Sequence, residues 1–199
     1  MDIKKYLLVL FLIVTIISAY PAAPGSIKGK VQLDGKKNNS SVLVYIEQAE
    51  GKFIPPKKHA EMNQKDLMFH PKVLSILAGT TVDFLNSDSV LHNVFTPTEC
   101  AGSFNLGTWP TGEIRSHTFN DANCFVTILC DVHPDMQAWI AVLQNPFFAE
   151  TNKNGEFEIK NIPSGKYKLK IWYPFYKTIS SAIEIKGKSI ITKNFLLKK

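Results

Sequence analysis

After residue 26 the chain is a succession of short runs rich in Val, Ile, Thr, Phe and Tyr, each broken by Gly, Pro, Asn or Asp; none has an amphipathic helical period with caps. The runs stand at 27–33, 42–47, 73–77, 81–85, 92–95, 113–119, 125–129, 137–143, 156–160, 167–172 and 190–196. Leu33-Asp34-Gly35 and Asn152-Lys153-Asn154-Gly155 punctuate them as hairpin turns. No longer repeat is present, which argues against a solenoid or propeller. The expected class is all-β, as one sandwich or two. At 199 residues the chain holds one domain or two small ones, which excludes a large multi-domain enzyme. Its 45% hydrophobic and 20% charged residues are those of an ordinary globular protein.

The first 23 residues fall outside this pattern. Lys4 and Lys5 precede the apolar run from Tyr6 to Ala19, and Tyr20-Pro21-Ala22-Ala23-Pro24-Gly25 breaks it. This reads as a secretory signal segment, shorter than the roughly 20 residues of a spanning helix. No cysteine precedes residue 100, so lipid attachment to a cysteine at the cleavage site is excluded. The expected location is exported, periplasmic or secreted, with no membrane contact beyond that segment.

Charge divides the remainder. Residues 24–59 carry seven lysines against three acids, 60–147 three basic residues against nine acids, and 151–199 eleven lysines against three acids. An acidic central module is expected between basic flanks, and the total of +6 conceals it. No phosphate-cradling glycine loop and no basic helix interleaved with aromatics is present, so no nucleic-acid partner is expected.

The central module holds the chemistry. Cys130-Asp131-Val132-His133-Pro134-Asp135-Met136 places a thiol, an imidazole and a thioether directly after the apolar run 125–129, and His92 lies at the start of another run. One thiolate and two imidazoles with a weak thioether form the donor set of an electron-transfer copper centre. Zinc prefers four Cys or His donors, and Met is poor for it. A dinuclear copper centre needs two cysteines on the ligand loop, and Cys124 is too far from Cys130 to share it. A Cys/His nucleophile pair lacks a visible oxyanion hole or orienting Asn. In a fourth reading His133 and Met136 simply pack. From the residues alone the zinc, nucleophile and packing readings stay beside the copper one.

Val73 through Gly79 to Asp88, then His92-Asn93-Val94-Phe95, then Cys130 to Met136, resembles the cupredoxins, the blue copper fold, with the short ligand loop of amicyanins. The resemblance covers roughly residues 62–145 and implies a Greek-key sandwich. It further implies one type 1 copper ion bound by His92, Cys130, His133 and Met136, with Asn93 bracing the ligand loop and donating toward the cysteine sulfur. Ile27 to Gly35 with Val42 to Ile46, and Thr151 to Leu169, resemble carboxypeptidase-regulatory or transthyretin-like sandwiches. The expected organisation is a flanking sandwich from 24–59 and 148–199, with the copper module at 60–147 nested in it or followed by it. The whole order is similar to exported proteins labelled methylamine-utilisation-like, from which Tyr173 and Asp135 depart.

With Cys130 a ligand, Cys100 and Cys124 remain; both flank the ligand strands, and export favours oxidation, so a disulfide between them is expected. His59, Met62, Met68 and His70 form a weaker second candidate for copper capture, and His117 is expected at the surface. The resemblance implies a non-enzymatic carrier of single electrons. Its redox partner would dock near His133 against a patch containing Leu91 and Pro134. The alternatives are a copper chaperone or storage protein, and a surface-binding structural module.

Overall fold

A computed structural model describes residues 23–199. The expected signal segment falls outside the described residues but for Ala23. In chain order the strands are β1 (Gly25–Leu33), β2 (Leu43–Ile46), β3 (Ala60–Lys65), β4 (Met68–His70), β5 (Val73–Leu77), β6 (Thr80–Asn86), β7 (His92–Thr96), β8 (Phe104–Trp109) and β9 (Ile114–Phe119). They continue as β10 (Cys124–Leu129), β11 (Gln137–Leu143), β12 (Phe148–Glu150), β13 (Glu156–Ile162), β14 (Gly165–Trp172), β15 (Ile179–Ile185), β16 (Ile190–Thr192) and β17 (Phe195–Leu197). The one helical turn among the described residues is a 3-10 turn at Glu99–Ala101. No helix there is long and apolar enough to cross a membrane. The all-β class is as expected.

Two sandwiches carry these strands. In the first, a sheet ordered β5-β11-β10-β7-β8 faces a sheet ordered β4-β3-β6-β9. Strict alternation makes this work: β6 and β10 bury every second residue, so Val82, Phe84, Val126 and Ile128 meet in one core. The second core joins Ile27, Val31, Val44 and Ile46 to Phe157, Ile159, Leu169 and Ile171, residues from both sides of the first sandwich in sequence. Its sheets are β12-β2-β14-β15 and β13-β1-β16, with β17 also on β1.

Two strands are buried on both faces. β2 is buried at all four positions and β11 at six of seven. Each faces its own core on one side, while Leu43, Tyr45, Ala141 and Leu143 meet between the sandwiches against Phe125, Phe148 and Trp172. A strand with two dry faces reads as a continuous apolar run.

The run expected at 190–196 is two strands, β16 and β17, both parallel to β1. The break lies at Lys193 and Asn194, whose polar groups close on β1: Lys193 N–H donates to the Lys28 carbonyl (3.0 Å), and Lys30 N–H donates to Asn194 Oδ1 (2.9 Å). Strands β3, β4, β8, β12 and β15 lie outside the expected runs. Their sequences AEMNQK, MFH, FNLGTW, FAE and ISSAIEI are short or polar, and pairing with neighbours supplies what propensity does not.

Candidate metal centre

Antiparallel pairing brings the site together. β7 pairs with β10 at Phe95 and Leu129, so the start of β7 lies beside the end of β10, and His92 arrives next to Cys130. β10 and β11 form a hairpin with six paired positions, and residues 130–136 are its connection. That connection ends in a turn, with Met136 N–H donating to the His133 carbonyl at 2.9 Å. Pro134 holds the second turn position, where its fixed φ is preorganised.

Cys130 Sγ lies 4.0 Å from His92 Nδ1 and 3.9 Å from His133 Nδ1, and the two nitrogens are 3.1 Å apart. Among the described residues this is the one group of three or more His, Cys, Asp or Glu donors gathered closely enough for a metal ion, all within 4.8 Å of one another. Bond lengths of about 2.1 Å to nitrogen and about 2.3 Å to sulfur allow at most about 4.2 Å between nitrogens and about 4.4 Å from nitrogen to sulfur. All three separations satisfy those limits, so one ion fits between the donors.

The surroundings fix each donor. Asn93 N–H donates to Cys130 Sγ at 3.4 Å. Asn93 Oδ1 accepts Asp131 N–H at 3.2 Å, while its amide donates to Asn105 Oδ1 at 2.7 Å and the Gly107 carbonyl at 2.8 Å. The side chain thus straps the ligand loop to β8, and the donation toward sulfur comes from the main chain. His92 is fully buried, and its Nε2 lies 2.8 Å from Asp88 Oδ2. A carboxylate only accepts, so the ring proton sits on Nε2 and the Nδ1 lone pair faces Cys130 and His133. Burial alone would raise the Asp88 carboxyl, but the Leu67 N–H, the His92 ring and the Asp66 N–H outweigh it and hold it below the usual carboxylate range.

Met136 is buried in the same core as Cys130. His133 is half-buried, and Leu91, Val90 and Val132 stand exposed in the adjoining loops. Asp131, Pro134 and Asp135 are exposed with them.

Cys100 and Cys124 form a disulfide, and Cys130 is the free, buried cysteine. The second copper-capture candidate does not assemble. Met62 is fully buried in the core, Met68 and His70 point outward from β4, and His59 Nδ1 is 2.9 Å from Asp83 Oδ1. Alternation along β3 and β4 buries Met62 and turns Met68 and His70 to the outer face. His117, expected at the surface, is half-buried and stacks on Phe104 with ring centroids 3.9 Å apart. Burial pushes its pKa below the ordinary histidine value.

Asp88 and Asn105 are the functional contacts that sequence reasoning passed over. The signal for Asp88 is an acid four residues ahead of His92; Asn105 leaves none, because its role depends on the pairing of β7 with β8.

Residues 133–199 match the family described as the CarboxypepD_reg-like domain. No curated protein matches the chain. Among solved structures, the chain is similar to a copper-containing nitrite reductase from Thermus scotoductus SA-01 at 25% identity, over 50% of this chain and 25% of that one, with a TM-score of 0.42. The chain thus spans a quarter of that protein's length. It is also similar to a purple cupredoxin from Nitrosopumilus maritimus at 26% identity, over 42% of this chain and 98% of that one, with a TM-score of 0.37. A Cu(I) form of an amicyanin variant aligns at 17% identity over 53% of this chain and 99% of that one, with a TM-score of 0.40. On this chain's own donors, the candidate centre is a two-histidine, one-cysteine triangle with His92 and Cys130 buried and His133 half-buried, braced by Asn93 and Asp88, in an all-β protein whose last third is similar to a CarboxypepD_reg-like domain.

Proposed function

We propose that this protein is an exported, non-enzymatic carrier of single electrons, holding one type 1 copper ion between His92, Cys130, His133 and Met136. The donor triangle of two Nδ1 atoms and Sγ, with a main-chain N–H on the sulfur, carries the reading. Copper in this donor set supplies a one-electron couple.

The chain's part is to keep the donors still. Asn93 and the strands behind it hold Cys130, Asp88 holds His92, and the Pro134 turn holds His133 against Met136. Electron transfer is fast when the donors move little between oxidation states. The disulfide between Cys100 and Cys124 favours an oxidising compartment, consistent with export.

His133, flanked by exposed Leu91, Val132 and Pro134, is the proposed exit. Redox encounters use small interfaces, so a patch of this size suffices. Asp131 and Asp135 on the same rim favour a basic partner, whose association weakens with added salt.

One equivalent of Cu(II) added to the purified protein is expected to produce an intense thiolate-to-copper band that bleaches and returns through reversible reduction. Cys130→Ser is expected to abolish the band. A band that survives Cys130→Ser rejects the ligand assignment, and a protein that holds Cu(I) without a reversible potential rejects electron transfer in favour of copper delivery.

A further inference from the structure

Where the ligand loop runs into β11, the two sandwiches leave a groove of about 350 Å³. Trp139 and Phe175 meet edge to face in it, with ring centroids 5.3 Å apart and planes at 90°. Lys72 Nζ stands 5.1 Å from the indole centroid and donates to the Gln137 carbonyl at 2.6 Å. Lys36 and Lys199 line the same groove, and no acidic side chain does. Asp34 lines a neighbouring hollow that shares Lys36, Tyr176 and Lys199.

Phe175 is 76% exposed and sits at φ 65°, in the left-handed region where a side chain costs backbone energy. Its turn is pinned by Tyr176 N–H to the Tyr173 carbonyl at 3.1 Å and by the Tyr176 hydroxyl to the Asp34 carbonyl at 3.2 Å. Glycine would relieve the backbone there, yet the chain presents an aromatic ring to water. Lys72 is an exposed residue with no carboxylate partner among the described residues, and partial desolvation of its ammonium holds it below the usual lysine range. An anion would restore what that charge has lost in hydration.

The groove offers ring edges and ammonium groups but few neutral hydrogen-bonding side chains, mainly Gln137 and Tyr173, since the Tyr176 hydroxyl is already engaged. That suits a ligand with a flat apolar ring and one negative group better than a polyhydroxylated sugar. The volume is at the small end of ligand sites, about one ring. We propose that this groove binds a small aromatic carboxylate, its ring against the exposed Phe175 beside the largely buried Trp139 and its carboxylate between Lys72 and Lys36. The site needs no metal and stands whether or not the copper reading does.

The test is titration with 4-hydroxybenzoate, followed by amide and indole signals in a nitrogen-15 NMR spectrum. Saturable shifts are expected at the Trp139 indole and the Phe175 amide, with the Trp109 and Trp172 indoles unmoved. Lys72→Gln and Phe175→Gly are each expected to weaken binding by between about threefold and tenfold, the size of one cation or ring contact. Lys72→Arg should keep it, and Phe175→Gly should fold normally because glycine accepts that φ. Benzyl alcohol, a ring without charge, and glucuronate, a charge without an aromatic ring, are expected to bind at least about tenfold more weakly. Glucuronate binding equally well, affinity unchanged in both weakened variants, or no saturable shift would each overturn the proposal. So would a tyrosine-ended acidic peptide that binds where 4-hydroxybenzoate does not, because the occupant would then be a protein segment.

Discussion

Asp88 carries more of the candidate metal centre than its place outside the donor group suggests. Its carboxylate receives the His92 ring and the N–H groups of Asp66 and Leu67 together, so one side chain orients a donor and ties down the β3–β4 turn. Asp88→Ala is expected to weaken copper binding by about 10–100-fold, the usual effect of losing a group that orients a metal-binding histidine. Competition against a Cu(I) chelator measures it, and an unchanged affinity would show that β7 alone orients His92. Asp88→Asn, whose side-chain oxygen still accepts from Nε2, should lose less. At this scale much was readable in sequence. Cys130, His133 and Met136 are close because they are close in the chain, and Asn93 adjoins His92. Asn105 was unreadable because its place against Asn93 comes from a register shift between β7 and β8.

Among the elements, the junction of β1 with the carboxyl-terminal strands is the tightest. A Cβ at Gly29 would lie 1.7 Å from the Lys193 carbonyl oxygen, and the two nearest atoms are both Lys193 backbone, which has no flexible side chain to yield. Gly29→Ala is expected to destabilise the protein by about 2–4 kcal/mol, read as a lowered urea midpoint, with the copper band unchanged in folded protein. Strands β2 and β14 are joined electrostatically as well as by pairing. Lys168 lies 2.8 Å from Glu47 and Lys170 adds a second contact; together they hold the Glu47 carboxyl below its ordinary value of 4.5. A depressed carboxyl contributes stability above its unfolded pKa and loses it as pH falls through the folded value. Acidification from about pH 5 toward pH 3 should therefore destabilise the native protein more than Glu47→Gln, as urea midpoints across that range will show. Equal slopes would mean that solvent screens the pair completely. The strands found in sequence are those whose alternation or apolar run is strong. Those missed, such as Met68–His70 and Phe148–Glu150, are three residues long and exist because a neighbour offers a ladder.

For the whole molecule, the seam between the sandwiches matters most. Leu143 is 2% exposed and packs with Leu43, Tyr45 and Ala141. Leu143→Ala is expected to cost about 2–5 kcal/mol. Because β2 and β11 each serve a core and the seam, both sandwiches should melt in one transition, with calorimetric and van't Hoff enthalpies equal. Two separated transitions would mean that the seam transmits little. The sequence by itself determined the all-β class, because alternation and turn residues act over a few neighbours, and it pointed to Cys130 and His133 as candidate donors, because the two share one short loop. Tertiary structure alone decided that His92 meets that loop through its Nδ1 and that Asp88 holds the opposite nitrogen. It also decided that Met62 is buried away from the exposed Met68 and His70, and that Lys72, Trp139 and Phe175 converge on one groove. Each of these depends on register and sheet packing between segments distant in the chain, and a one-residue change of register would turn every side chain to the other face.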